Sequence, residues 1–387
     1  GAALYLDYES GATNLIPGTL NLNGGSLYLS GGAAPEVISS GTTISAGASL
    51  IATQTGEADA LLNLGNLIRN STAGGVLNIR GGSATTTSTG QVGLGGILGG
   101  YATHRSVVAG TPAFSWAVPG AGGAAISGLA DGSYSSSFGA GLNTDVTSLF
   151  TDVKVSGATG SLRFNTFGAQ TLTIGGASDA QQTIVESGGI MVTPAVGAFD
   201  ITITDQNRGN EELFGGGAFG VERELIVHQH NTRGTLTINA TIGDNGGPSR
   251  LTKTGQGTLI LTKLNTYSGQ TAIYGGVLQL NTGGILGGAS QPLINHGYLV
   301  INRSSITLPQ IIEGTGILRQ AGAGITTLNS DNTYTGPTQV LAGTLAISNA
   351  GNALGSTAGL TSVSSGATLS FSNVVVPETI VLKGGST

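Results

Sequence analysis

The sequence predicts an all-β chain wound as a parallel β-helix, a β-solenoid with glycine-rich turns. Three observations carry this. The stretch from Arg250 to Gly288 returns 67 residues later, between Ile317 and Thr357, in register and without a gap. A long-period echo of this kind marks a repeat architecture. Second, a short unit recurs along the chain: a glycine, then two apolar residues flanking a usually polar one. Gly234, Leu236 and Ile238 form one instance; Gly257, Leu259 and Leu261, and Gly276, Leu278 and Leu280, form others. Period-two alternation is the mark of a short strand that buries one face. Third, glycine makes up 68 of 387 residues, yet mean hydropathy is positive at +0.21. Such a chain has enough Leu, Ile and Val in strand register to build a core.

Taken in order, residues 1–100 read as coils without the long repeat. Leu20 and Leu22, Leu27 and Leu29, Leu50 and Ala52, and Leu77 and Ile79 sit in short strands set off by glycine turns. Ala58–Gly65 is the best short-helix candidate and reads equally well as a turn and a strand. Residues 93–145 form an irregular glycine-rich section, expected to hold three brief strands in long turns. A loop excursion from one face is its functional alternative, because insertions in repeat proteins cluster on the binding face. Trp116, the one tryptophan, is read as packed rather than as a platform for sugar. The ladder resumes from Val153, passes a charged break at 205–224, and reaches the two copies of the long repeat at 250–357. Residues 1–387 are read as a single elongated solenoid. Coils of about 22 residues rising about 4.8 Å each predict about 17 coils and a rod about 80 Å long.

Composition narrows the function classes. There is no cysteine, which excludes disulfides and thiolate metal sites. A formal charge of −6 without any Lys/Arg run argues against nucleic acid and anionic membrane as partners. No apolar run reaches the ~18 residues of a spanning helix. The chain opens in strand-like sequence at Gly1, and its one methionine is Met191; this reads as a processed or partial chain.

Catalytic chemistry has little to draw on. Polysaccharide hydrolysis needs paired carboxylates, and lyase action needs bound calcium with a basic residue. The 20 acidic residues are scattered. Their densest group is Asp200, Asp205, Glu211, Glu212, Glu222 and Glu224, with Arg208 and Arg223 among them, and is read as a solvated turn or subunit contact. His228 and His230 share a strand face but have no identifiable third ligand, so structural hydrogen bonding is preferred to a metal. No catalytic residue, cofactor or metal is assigned. The residues that stand out are repeat positions: Gly257, Asn265, Tyr267, Gly269 and Gly276, echoed by Gly324, Asn332, Tyr334, Gly336 and Gly343. The asparagines are expected to line turns between coils, bonding along the axis or to their own backbone, with the tyrosines packed over them.

The segments GTLILTKLNTYSGQTAIYGGVLQL and DNTYTGPTQVLAGTLAI resemble the autotransporter-associated β-strand repeat, also called the passenger-associated transport repeat. The resemblance runs from about Gly95 to Thr357 and is strongest over Leu225–Gly288. It implies a right-handed parallel β-helix, secreted by or displayed on a Gram-negative-type bacterium. Members of this group end in a membrane barrel, and no barrel-like segment follows Val381 here.

The expected function is therefore a non-enzymatic, extracellular structural or adhesive rod. Gly1–Ser10 and Val374–Leu382 look like uncapped strands, so end-to-end self-association into filaments is expected. Surface glycans or other cells are further candidate partners. A passenger stalk presenting another domain is the alternative, and a glycan-cleaving β-helix a more remote one.

Overall fold

The computed structural model describes residues 2–7, 15–30, 36–53, 62–70, 74–80, 84–85, 94–108, 110–120, 125–147, 154–175, 182–206, 211–216, 223–348 and 351–384. The protein is a parallel β-solenoid of about 14 turns. Each coil lays down up to three short strands, one per face, and each strand pairs in parallel with its counterpart one coil on.

The solenoid runs in two arms. In the first, one face carries Ala3–Asp7, Ser26–Ser30, Ala48–Thr53, Val76–Arg80 and Ala102–Val108. There the ladder ends, because Thr111–Val118 folds back antiparallel on Ala102–Val108, with Thr103 opposite Trp116. The second arm starts at Asn143–Val146 and runs to Thr379–Leu382, the last of eleven strands stacked on its second face among the described residues. The expected count of 17 coils overshoots for two reasons. The section around 94–147 adds a hairpin rather than turns, and some coils are long: Ile190 pairs with Val227, 37 residues on, whereas Leu259 pairs with Leu278, 19 on. Half of the helix candidate at 58–65, residues 58–61, lies outside the described residues; in the other half Leu62–Asn63 is strand.

The recurring Gly-x-Leu unit makes the core. Leu236, Leu259, Leu278, Leu299 and Leu318 stack in one interior column, each no more than 1% exposed. Beside it run Ile238, Leu261, Leu280 and Ile301. Burying one such side chain contributes about 1.5–3 kcal/mol, and no coil can bury its own face without a neighbour. At Gly276 and Gly343 the turn enters the left-handed region, with φ of 65° and 61°. A Cβ there would run into the carbonyls of Gly255 and Gly257, or of Gly322 and Gly324. Only glycine fits both demands.

The sequence repeat and the coil are out of phase. The first copy begins with Arg250–Thr254 on the first face; the second begins with Ile317–Gln320 on the second face. Sixty-seven residues thus span three coils plus one face, and the second copy is turned one face round the axis relative to the first.

Candidate functional site

Two places concentrate chemistry: the corners of the repeat and the seam between the arms. At the corner of the first copy, Asn265 Oδ1 accepts from the buried Ile242 N–H at 2.9 Å, and its Nδ2 donates to Ile285 O at 2.7 Å. One bond reaches the coil before and one the coil after, so the side chain is a rung along the axis. Asn332 repeats this with Ile312 N–H at 2.8 Å and Ala353 O at 2.6 Å. Tyr267 and Tyr334 lie buried behind the corners, each hydroxyl 2.6 Å from a threonine Oγ1, of Thr271 and of Thr338. Gly257, Gly269, Gly324 and Gly336 let the backbone press against the coil beneath, at Asn231, Ser249, Ser304 and Gly316.

The repeat hides one further pair of polar residues that the sequence reading passed over. Lys253 is fully buried, its ammonium donating to the carbonyls of Thr254, Gly255 and Gly275 at 2.9, 2.9 and 3.0 Å. Gln320, at the same repeat position, donates to Gly322 O at 2.7 Å and Gly324 O at 3.2 Å. Each hooks back onto the glycine corner that follows it. The signal was available: a polar residue two before the Gly-x-Gly in both copies.

The arms lie side by side in opposite directions. Gly100 sits against Gly189, Arg69 reaches Glu224, the Tyr274 hydroxyl meets the backbone of Gly47, and Gly24 faces His296 across a cleft. The centre of the seam is an ion pair, Arg69 Nη2 to Glu224 Oε2 at 2.6 Å, with both side chains no more than 3% exposed. Thr252 also donates to Glu224. Burial opposes ionisation of this carboxyl, but Arg69, Arg250 and these hydrogen bonds together hold its pKa below the ordinary value. Glu224 is therefore no part of a solvated turn. The rest of its sequence cluster is dispersed: Asp200 accepts from Thr235, Asp205 pairs with Lys263 at 3.4 Å, and Glu212 accepts from Thr266. Arg208 and Glu222 lie outside the described residues.

The histidines serve the seam too. His228 Nε2 donates to Gly100 O at 2.7 Å, and burial lowers its pKa to about 4. His230 stacks on Phe114 with centroids 3.9 Å apart. Trp116 is buried between Ile97 and Met191 and meets His228 edge-on at 5.6 Å. The irregular section thus supplies the packing that docks one arm on the other. Among the described residues, no group of three or more His, Asp or Glu could hold a metal ion, and no helix is long and apolar enough to cross a membrane.

The arrangement defines a parallel β-solenoid whose distinctive side chains hold coil to coil and arm to arm. The passenger-associated-transport-repeat family matches residues 251–280 and 318–347, so the chain carries two copies of that repeat. It is 30% identical over 391 residues to the adhesin BmaC autotransporter of Brucella suis biovar 1 (strain 1330). That match takes in 88% of this chain and spans 10% of the length of that protein. No solved structure matches it.

Proposed function

We propose that this chain is an adhesive section of a larger passenger displayed on the surface of a Gram-negative bacterium, and that it acts without catalysis. The observation that carries the reading is the likeness to an autotransporter adhesin over 88% of the chain. The distribution of its polar groups supports it. The buried carboxylate and imidazoles lock the seam, the corner asparagines bond neighbouring coils, and Asp131 and Asp145 are both paired with Arg163. A surface of Thr, Ser, Asn and Gln on a rigid stack is suited to broad contact with another surface. The test is adhesion of beads coated with the purified chain to host-cell monolayers and extracellular matrix. Binding above that of beads carrying an unrelated β-solenoid is expected; equal binding overturns the reading.

End-to-end association is a finer version of the same proposal. Leu4 and Tyr5 on Ala3–Asp7, and Val381 and Leu382 on Thr379–Leu382, are exposed apolar residues on the outermost strands of their ladders. A strand of a second copy could extend either ladder. Negative-stain electron microscopy over a range of concentrations decides this: filaments support it, and single particles throughout reject it.

A further inference from the structure

Where the two arms part, the seam opens into a cleft of about 910 Å³. Its first-arm wall is nearly bare backbone, with Gly24 and Gly47 stacked one coil apart and Asn23 beside them. The facing wall, on the second arm, carries Gln270, Tyr274, His296 and Thr315. Among the described residues, none that lines it is acidic, lysine or arginine.

We propose that this cleft is a binding site for a neutral oligosaccharide of two or three sugar units. The inference rests on the adhesive reading and gives it a ligand class. The aromatic rings come first. Tyr274 and His296 stack on successive coils, centroids 6.2 Å apart and planes within 19°. Both line the cleft and give its second-arm wall aromatic carbon against which the C–H groups of a sugar ring can pack.

The polar groups are already oriented. Gln270 Oε1 accepts from Arg250 at 3.1 Å, which fixes the amide and leaves its NH₂ as the donor. His296 Nδ1 lies 3.4 Å from the Thr315 N–H and 3.1 Å from Thr315 Oγ1. A nitrogen accepting from the backbone carries no proton, so Nε2 holds the hydrogen and the exposed ring presents it as a donor. Desolvation lowers the pKa of His296, which keeps the ring neutral at pH 7. Among its described residues the site thus offers neutral donors and aromatic carbon but no counter-ion. Sugar hydroxyls match that set; a carboxylate or sulfate would meet the same donors but no counter-charge to offset its lost hydration, and an ammonium group would meet no carboxylate. The volume is within the range of pockets that enclose small ligands, about 300–1,000 Å³.

The test is titration calorimetry of the whole chain with lactose, cellotriose and N,N′-diacetylchitobiose, and with 3′-sialyllactose as the anionic control. Binding of at least one neutral sugar is expected, weakened about tenfold in Gln270→Ala and in His296→Ala and unchanged in Asn302→Ala on the second face. Both substitutions truncate surface side chains, and unchanged circular dichroism and melting will separate lost contacts from lost fold. No binding of any neutral sugar at millimolar concentration overturns the proposal, as does preference for sialyllactose, binding indifferent to both substitutions, or displacement by an extended peptide. Bead adhesion by His296→Ala separates this proposal from the adhesive reading. If those beads adhere like the parent while no sugar binds, the cleft assignment fails and adhesion stands; if the parent beads do not adhere, the adhesive reading itself fails.

Discussion

Asn265 and Asn332 make the same two axial hydrogen bonds from different faces of the solenoid. Asn265 takes the N–H of Ile242, a residue of the third face, and Asn332 takes that of Ile312, a residue of the first. A corner motif therefore needs a coil on either side rather than a particular face, which is why a repeat out of step with the coil can still fold. Asn265→Ala and Asn332→Ala should cost about the same, about 1–3 kcal/mol each, because each leaves a buried backbone N–H unpaired. Hydrogen exchange at Ile242 and Ile312 reads this locally, which matters in a solenoid whose coils open semi-independently. Faster exchange at only one of the two amides would mean the faces are not equivalent.

Gly276→Ala and Gly343→Ala should destabilise more than a corner asparagine. A left-handed φ costs an alanine about 1–2 kcal/mol, and the added Cβ strikes carbonyls of the coil beneath. Gly246 supplies the control, since it has φ of 68° but nothing within 4 Å of its Cβ position. Thermal melts of the three variants should rank Gly246→Ala as the mildest. Equal losses would show that φ alone sets the cost.

The repeat, the strand units and the stacked leucines were legible in the sequence because they depend on local periodicity. Leu259 and Leu278 advertise their burial by alternation, and Asn265 and Asn332 advertise a corner by recurring beside Thr and Tyr. The seam was not legible. Arg69 and Glu224 are 155 residues apart, and nothing near either residue reveals that the chain doubles back between them. Glu224 lies in a run of charged residues, which ordinarily means a solvated turn, and only the return of the first arm removes it from water. Trp116 could be read as packed but not as packed against the second arm.

The seam should loosen in acid. His228, lowered to about 4 from an ordinary 6.5, binds no proton in the folded state where the unfolded chain does, so stability falls as pH drops through that window. Glu224, with a lowered pKa, contributes stability present above its ordinary value of 4.5 and lost as pH falls through the folded value. Glu378, which burial pushes up to about 7, acts in the opposite sense between 4.5 and 7, so Glu378→Gln is the background to use. Trp116 is the reporter: its emission should be blue-shifted at pH 7 and move to the red between pH 6 and 4, as the arms part. Small-angle scattering should show the longest dimension growing over the same range. Emission that holds steady while the chain melts elsewhere would place the acid-sensitive step outside the seam.

Lys253 carries the same sign of pH dependence into alkali. Burial lowers its pKa to about 7 from an ordinary 10.5. Between those values the unfolded chain holds a proton that the folded chain has released, so stability should rise with pH from about 7 to 10. Gln320 occupies the equivalent place in the second copy and donates through an amide to Gly322, the counterpart of Gly255, and to Gly324. Lys253→Gln should therefore fold with little loss, within about 1 kcal/mol, and should flatten the alkaline rise. Lys253→Leu should flatten it as well but lose more, because the carbonyls of Thr254, Gly255 and Gly275 forfeit their donor. Denaturation midpoints at pH 7 and pH 10 for the parent and both variants separate the cases. A rise that survives in Lys253→Gln would assign the alkaline titration to another group.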